Sequence, residues 1–357
     1  MEKNKILIIS NMYPNKEGGY FGIFVKTINE NLKLSYEVKE VLLKGKSANK
    51  FINFFRYFFF YIHIIFELCF NKYHVIYVHF PTHSLPPILF FPFLKHKNIV
   101  FNFHGSDIMV ESKLNTLFIK YFVLIKSYVK LVVVPSKILE DEILKKIHFN
   151  KIFVSPSGGI PDFFFNDIDS SKKVKSQNLR FLYISSLIES KGIFTLLDSV
   201  KQLYLKKGIE LDLTIFGSEN TDLLKTKMQE LNNTKYLGVA KNDHLPYIFN
   251  DFDVLVFPTK RESLGLIGLE ALACGIPVIG SDIPSINTYI KHNFNGLLFE
   301  LENSIDLMNK IEFILNNPIE CKRLQSNTRT SVLNFKQSTT AVNLNKKINE
   351  IIQDSRC

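Results

Sequence analysis

Glu262-Ser-Leu-Gly-Leu-Ile-Gly-Leu-Glu270, continued by Ala-Leu-Ala-Cys-Gly-Ile-Pro-Val-Ile-Gly280, is the stretch on which the reading of this chain turns. Two carboxylates stand eight residues apart, with glycines at 265 and 268 between them. The run before it, Phe252-Asp-Val-Leu-Val-Phe-Pro258, reads as a buried strand that stops at a proline. The run from Leu266 to Cys274 is helix-like and ends at Gly275, and Pro277–Gly280 is the next short apolar strand. Glu262 therefore lies on a loop just past a strand's carboxyl end, and Glu270 about two turns on, inside or near the following helix. In an open parallel sheet ligands bind at that place, and the helix start offers free N–H groups and a partial positive charge suited to phosphate.

Outward from this segment the same alternation runs through the whole chain. Strands are predicted at 5–10, 36–43, 74–79, 98–103, 131–134 and 151–154, with helices around 21–34, 49–70, 113–129 and 137–146. A second series of strands is predicted at 180–185, 211–216, 235–237, 253–257, 277–279 and 297–299, and the stretch 319–354 reads as helical. Alternation of this kind means α/β, with parallel sheets covered by helices on both faces. Two Rossmann-like domains facing each other across a cleft are expected. Their bounds are 1–162 and 179–330, with a polar linker at 163–178 and a terminal helix within 331–357.

The 357 residues suffice for two cores. Four cysteines (69, 274, 321 and 357) have no metal or redox spacing and suit a reducing compartment. The N-terminus carries no recognisable signal peptide, so a cytoplasmic location is expected. The net charge of +10 is uneven: residues 1–160 hold 21 Lys and Arg against 11 Asp and Glu, residues 161–357 hold 23 of each. A basic half suits an anionic membrane surface or a phosphorylated acceptor. Nucleic acid is not expected as a partner, because no helix-turn-helix, zinc finger or RNP-type motif accompanies the charge. Residues 51–70 are long enough to span a bilayer, but Arg56, His63 and Glu67 interrupt them. A largely buried helix is the first expectation there, and a helix lying in the membrane interface the second. Residues 85–94 add a second greasy patch too short to span.

Several junctions carry candidate chemistry. Ser10-Asn-Met-Tyr-Pro-Asn-Lys-Glu-Gly18-Gly19 follows the first strand; its glycines serve either a turn or a close approach of backbone N–H groups to phosphate or sugar. Phe103-His104-Gly-Ser-Asp107 follows another strand, with Asp107 as a helix cap or an orienting partner of the loop. Ser185-Ser186-Leu-Ile-Glu-Ser-Lys191-Gly192 opens the second half, and Lys191 at a helix start fits a phosphate contact. Ile215-Phe-Gly217 and Tyr236-Leu-Gly-Val239 are strand-to-glycine junctions. Neither Asp251-Phe-Asp253 nor Asp167-Ile-Asp169 sits in a loop suited to a metal, so no metal site and no cofactor is expected.

The run Pro258-Thr-Lys-Arg-Glu262-Ser-Leu-Gly-Leu…Glu270-Ala…Gly275-Ile-Pro-Val-Ile resembles the E-x7-E signature of retaining nucleotide-sugar glycosyltransferases, glycosyltransferase family 4 with the GT-B fold. The resemblance extends from residue 5 to about 330 and is strongest over 252–282. It implies a glycine-rich loop at Gly18 and Gly19 next to the donor diphosphate, and a histidine, His104, at the transferred sugar. It further implies Lys191 on the diphosphate, Glu262 on the sugar near the reacting carbon, Glu270 on the nucleotide ribose, and N–H groups of Leu264, Gly265 and Leu266 at the leaving group. Gly217 and Val239 line the base by the same resemblance. The family's usual Gly-Arg-Leu places an arginine where this chain has Ser186, which removes a bidentate phosphate donor; Lys260 or Arg261 is the candidate to compensate. The terminal helix, in that family, crosses back onto the N-terminal domain.

The expected function is thus transfer of a sugar, with retention, from a nucleoside diphosphate sugar to a glycan acceptor, lipid-linked and cytoplasmic, for a bacterial surface polysaccharide such as capsule or lipopolysaccharide. Double displacement through a carboxylate and same-face attack both remain open as routes to retention. The rival readings are a nucleotide-sugar epimerase of the same fold and a non-catalytic binding subunit.

Overall fold

The computed structural model describes residues 3–14, 22–45, 47, 49–84, 86, 97–109, 113–166, 178–218 and 222–355. The chain divides into one unit of Met1–Gly159 with Gln337–Cys357 and a second of Ile160–Lys336.

The first unit is built on a six-stranded sheet in the order β2-β1-β3-β4-β5-β6. Its strands are β1 (Lys5–Tyr13), β2 (Glu37–Lys44), β3 (Val75–His79), β4 (Ile99–Asn102), β5 (Val129–Val134) and β6 (Ile152–Val154). Every pairing is parallel. Ile6, Leu7, Ile8 and Ile9 are all fully buried, because helices cover both faces. Ile6 and Ile8 face one core with Ile28 and Leu32, while Leu7 and Ile9 face the other with Phe60 and Ile64. The order reverses direction at β1 and β3, so a crevice opens above their carboxyl ends.

Helix α1 (Ile23–Ser35) packs by Val25, Ile28, Asn29 and Leu32. The helix Gln337–Asp354 belongs to this unit and buries Leu344, Ile348, Ile351 and Ile352 in the same core. Tyr36 OH donates to the Asn345 carbonyl at 3.2 Å. The terminal helical stretch is two helices, Pro318–Ser331 and Gln337–Asp354, separated by a turn at Leu333–Phe335, and only the latter belongs to the first unit.

Helix α2 (Lys50–Phe70) corrects the expectation of a largely buried segment. Only 22% of its most apolar window is buried. One stripe, Phe60, Ile64, Glu67 and Leu68, faces the protein. Ten large apolar side chains from Phe51 to Phe70 are exposed. A helix apolar all round can bury only the side that meets the sheet, and one sheet face leaves the rest uncovered. The charge inside it is accounted for: Glu67 accepts hydrogen bonds from Tyr73 and from Asn71 at 2.9 Å and pairs with Lys39 at 3.3 Å. The patch expected at 85–94 lies, apart from residue 86, outside the described residues.

The second unit carries β7 (Phe181–Ile184), β8 (Leu213–Phe216), β9 (Thr234–Tyr236), β10 (Val254–Phe257), β11 (Val278–Ser281) and β12 (Gly296–Phe299). The sheet runs β12-β11-β10-β7-β8-β9, parallel throughout, and reverses at β7 and β10. Ile160 N–H donates to the Phe335 carbonyl at 2.7 Å, so the chain enters and leaves this unit side by side. The start of the expected linker is part of this unit: Phe164 is 3% exposed and packs in a core with Phe249 and Leu272, while Phe163 beside it stays half exposed. Residues 167–177 lie outside the described ones.

Candidate active site

In the second unit the loops after β7 and β10 meet at the switch point. Lys191 ends a single 3-10 turn, Glu189–Lys191, and Glu262 lies in the loop after Pro258. Their side chains, 71 residues apart in sequence, pair at 2.5 Å. Thr259, fully buried, donates its hydroxyl to the same carboxylate oxygen at 3.3 Å. Lys260 N–H donates to the Ser190 carbonyl at 3.0 Å, which ties the two loops together. Gly192 makes the close approach possible: its φ is 74°, and a Cβ there would lie 1.8 Å from the Pro258 carbonyl oxygen.

The helix Leu266–Ala273 begins at Gly265 with no side-chain cap and no acidic residue in its first turn, leaving its first N–H groups free for an anion. Gly265 and Gly268 share a reason that sequence reading missed. Tyr289, fully buried, donates its hydroxyl to the Gly265 carbonyl at 3.0 Å, and a Cβ on either glycine would stand within 2.8 Å of that oxygen. The glycine spacing therefore seats Tyr289 under the helix start.

Leu264 is buried, whereas Leu266 is only partly so. Ser186 is partly exposed, and its carbonyl accepts from Tyr183 OH at 3.1 Å. Lys260 pairs with Glu302 and, at 3.0 Å, with Glu189. Gly217 donates its N–H to the Gly238 carbonyl at 2.8 Å, and Val239 is exposed beyond the end of β9. Gly217 and Val239 thus lie on the same carboxyl edge of the sheet as Lys191 and Glu262.

Glu270 lies one turn into the helix, and burial pushes its carboxyl up to about 8. Ribose hydroxyls, were they to donate to this carboxyl as the resemblance implies, would favour its ionised form. Nucleotide binding is therefore expected to expel a proton from Glu270 below pH 8, and affinity to rise with pH by up to about tenfold per unit. Calorimetry with a nucleoside diphosphate in two buffers of different ionisation enthalpy, against Glu270→Gln, measures this. Equal proton exchange in both proteins would remove Glu270 from the ribose.

In the first unit Gly18 and Gly19 lie outside the described residues. His104 follows β4, partly exposed. Asp107, fully buried, accepts the backbone N–H of Gly105 at 2.9 Å and of His104 at 3.2 Å, which makes it the orienting partner of the loop. Burial outweighs those bonds and pushes its carboxyl up to about 7. The His104 ring lies against Phe24 and Phe80, with centroids 4.6 and 4.5 Å away. Sequence reading passed over His79, at the carboxyl end of β3, whose Nδ1 stands 3.0 Å from His104 Nε2. The available signal was a histidine closing an apolar strand beside the switch point. Among the described residues no group of three or more His, Cys, Asp or Glu side chains is gathered as a metal set.

Comparison with known proteins bears on this geometry. Residues 164–331 match the model of the family "Glycosyl transferases group 1". An uncharacterised glycosyltransferase of Methanocaldococcus jannaschii is 24% identical over 254 residues, 71% of this chain and 68% of that protein. A capsular polysaccharide biosynthesis glycosyltransferase of Staphylococcus aureus is 25% identical over 213 residues, 56% of this chain and 54% of its own length. Among solved structures, sucrose-phosphate synthase of Thermosynechococcus elongatus superposes with a TM-score of 0.79 at 18% identity, covering 99% of this chain and 100% of that one. An Anabaena protein solved with UDP superposes with a TM-score of 0.76 at 17% identity, covering 97% and 100%. At such identities the superpositions speak for the fold, which is GT-B. Residues 164–331, almost the whole second unit and just under half of the chain, are thus similar to the group 1 glycosyl transferases.

Proposed function

We propose that this glycosyltransferase moves a sugar, with retention, from a nucleoside diphosphate sugar to a glycan acceptor. The observation that carries the reading is the meeting of Lys191 and Glu262 at the switch point, beside an uncapped helix start. A cation and free N–H groups suit the charge that develops on a leaving diphosphate. Lys191 breaks its pair with Glu262 to take the diphosphate, and the released carboxylate accepts hydroxyls of the sugar near its reacting carbon. Glu270 holds the ribose, and His104 meets the sugar. Proteins of similar fold solved with UDP and with UDP-glucose make uridine nucleotides the first donors to try.

The test is a panel of nucleotide sugars, read by thermal shift and by product analysis with and without acceptor glycans. A donor at about a hundred times its Kd stabilises by roughly 2.7 kcal/mol. Binding of none would sink the proposal, and a rearranged sugar formed without acceptor would make the chain an epimerase. Turnover is expected to persist in excess EDTA, since Lys191 and the helix start supply the positive charge; rates restored only by Mg²⁺ or Mn²⁺ would overturn that part.

The acceptor in this reading is lipid-linked and met at the inner face of the cytoplasmic membrane, where the chain is peripheral. Support comes from α2, whose exposed aromatic face includes Phe51 at 70% and Phe59 at 64%. The first unit also holds 24 Lys and Arg against 13 Asp and Glu, while the second holds 20 against 21. Lys50 and Lys72 stand exposed at the two ends of the helix. Aromatic side chains under the headgroups and lysines among them suit an anionic bilayer. The full chain is expected to co-sediment with phosphatidylglycerol vesicles at low salt and to leave them as salt rises. Phe51→Ser with Phe58→Ser should weaken this without unfolding, both side chains being exposed. Equal binding to neutral vesicles, or none, would remove the membrane.

A further inference from the structure

His104 stands at the end of a hydrogen-bonded series that begins on α1. Lys33 Nζ donates to Glu40 at 2.8 Å, and Asn29 Nδ2 donates to the other oxygen of the same carboxylate at 3.2 Å. Asn29 Oδ1 faces His79 Nε2 at 3.3 Å, and His79 Nδ1 faces His104 Nε2 at 3.0 Å. Asn29 and His79 are both fully buried.

The proton positions follow from one end. A carboxylate only accepts, so Asn29 must turn its NH₂ to Glu40 and its oxygen to His79. That oxygen also only accepts, so His79 carries its proton on Nε2. Burial lowers the basicity of His79, pushing it down to about 3, so its ring is neutral and Nδ1 is a bare acceptor. His104 must then donate from Nε2. Burial, and His79 beside it, hold His104 well below the ordinary histidine value, so its Nδ1 is unprotonated. No described residue donates to that nitrogen. Phe80, which follows His79, is held at φ 49°, a costly conformation for a phenylalanine, and its ring rests on His104.

We propose that Asn29 and His79, anchored by Glu40, are positioning residues that hold the His104 ring with Nδ1 offered as a hydrogen-bond acceptor to a sugar hydroxyl. This rests on the reading of His104 as a sugar contact, and it adds that the sugar must bring a donor there. An unpositioned imidazole could present either nitrogen, protonated or bare, and would not discriminate.

Long-range ¹H–¹⁵N spectra of the histidine-labelled full chain test the series without any substrate. Both rings are expected as Nε2–H tautomers, unchanged down to about pH 5.5, a unit below the ordinary histidine value. A proton on Nδ1 of either ring, or a cationic His79, overturns the proposal whatever the variants do. With the nucleotide sugar turned over in the panel assay, His79→Leu is expected to lower kcat by about 10- to 100-fold with UDP binding unchanged. His79→Asn, whose Oδ1 stands near the lost Nδ1, should recover most of it. Asn29→Leu, which does not touch His104, should fall between the two. A wild-type rate in a folded His79→Leu, or equal losses in the Leu and Asn variants, overturns the positioning role. A wild-type rate in His104→Ala instead overturns the sugar contact on which it rests.

Discussion

Glu262→Ala is expected to lower turnover by about 10²- to 10⁴-fold, some 2.7–5.4 kcal/mol of activation free energy, with the second unit still folded. The carboxylate sits on a loop, and its partner Lys191 is 26% exposed, so the lysine left behind is solvated rather than stranded. Binding and turnover should separate in this variant. Lys191 no longer has to leave a partner 2.5 Å away before it meets a diphosphate, so UDP should bind at least as tightly as to the wild type. Measured kcat at saturating donor, alongside a UDP titration, checks both. Near-normal turnover in a folded Glu262→Ala protein would remove the central assignment.

Gly192→Ala is expected to destabilise the second unit by roughly 3 kcal/mol or more. The residue has φ 74°, and its new Cβ would lie 1.8 Å from one backbone atom and 2.5 Å from another, both of Pro258. Neither can swing aside as a side-chain tip can, so the loops carrying Lys191 and Glu262 must part. Gly208→Ala is the control. Gly208 has φ 66° but nothing within 4 Å of its Cβ position, so only the conformational cost of about 1–2 kcal/mol remains. Urea unfolding of the two variants measures the difference, and equal losses would show that the packing against Pro258 yields.

Most of the fold was legible because parallel strands buried on both faces leave continuous apolar runs. Ile6–Ile9 and Val254–Phe257 are such runs, and each predicted strand lies within a few residues of an observed one. The side on which α2 packs was not legible, since Phe and Ile stand both on its buried stripe and on its exposed sides. The terminal helical stretch was read as one because the turn at Leu333–Phe335 contains neither glycine nor proline. At the site, Lys191 and Glu262 were each found by local context, and the sheet order then brought them together. Thr259 and Tyr289 were not, because an ordinary threonine and tyrosine acquire meaning only from neighbours distant in sequence. The partners of Lys260 were hidden for the same reason: the carboxylates of Glu189 and Glu302 lie 71 and 42 residues away.

The helix Gln337–Asp354 gives the chain an order of assembly. Residues up to Gly159 leave the ribosome first, yet their core lacks Leu344, Ile348, Ile351 and Ile352 until all of the second unit has been translated. Among the described residues the cores of the second unit draw on none beyond Phe335, so its apolar residues are all made earlier. Of the two units, the first to be synthesised is therefore the last to close, and in the interval it shows an unsealed apolar face to its surroundings. A nascent chain of this design depends on chaperones most at its N-terminal half. A stop codon or a protease cut near residue 336 would leave a sound second unit attached to an unfinished first one.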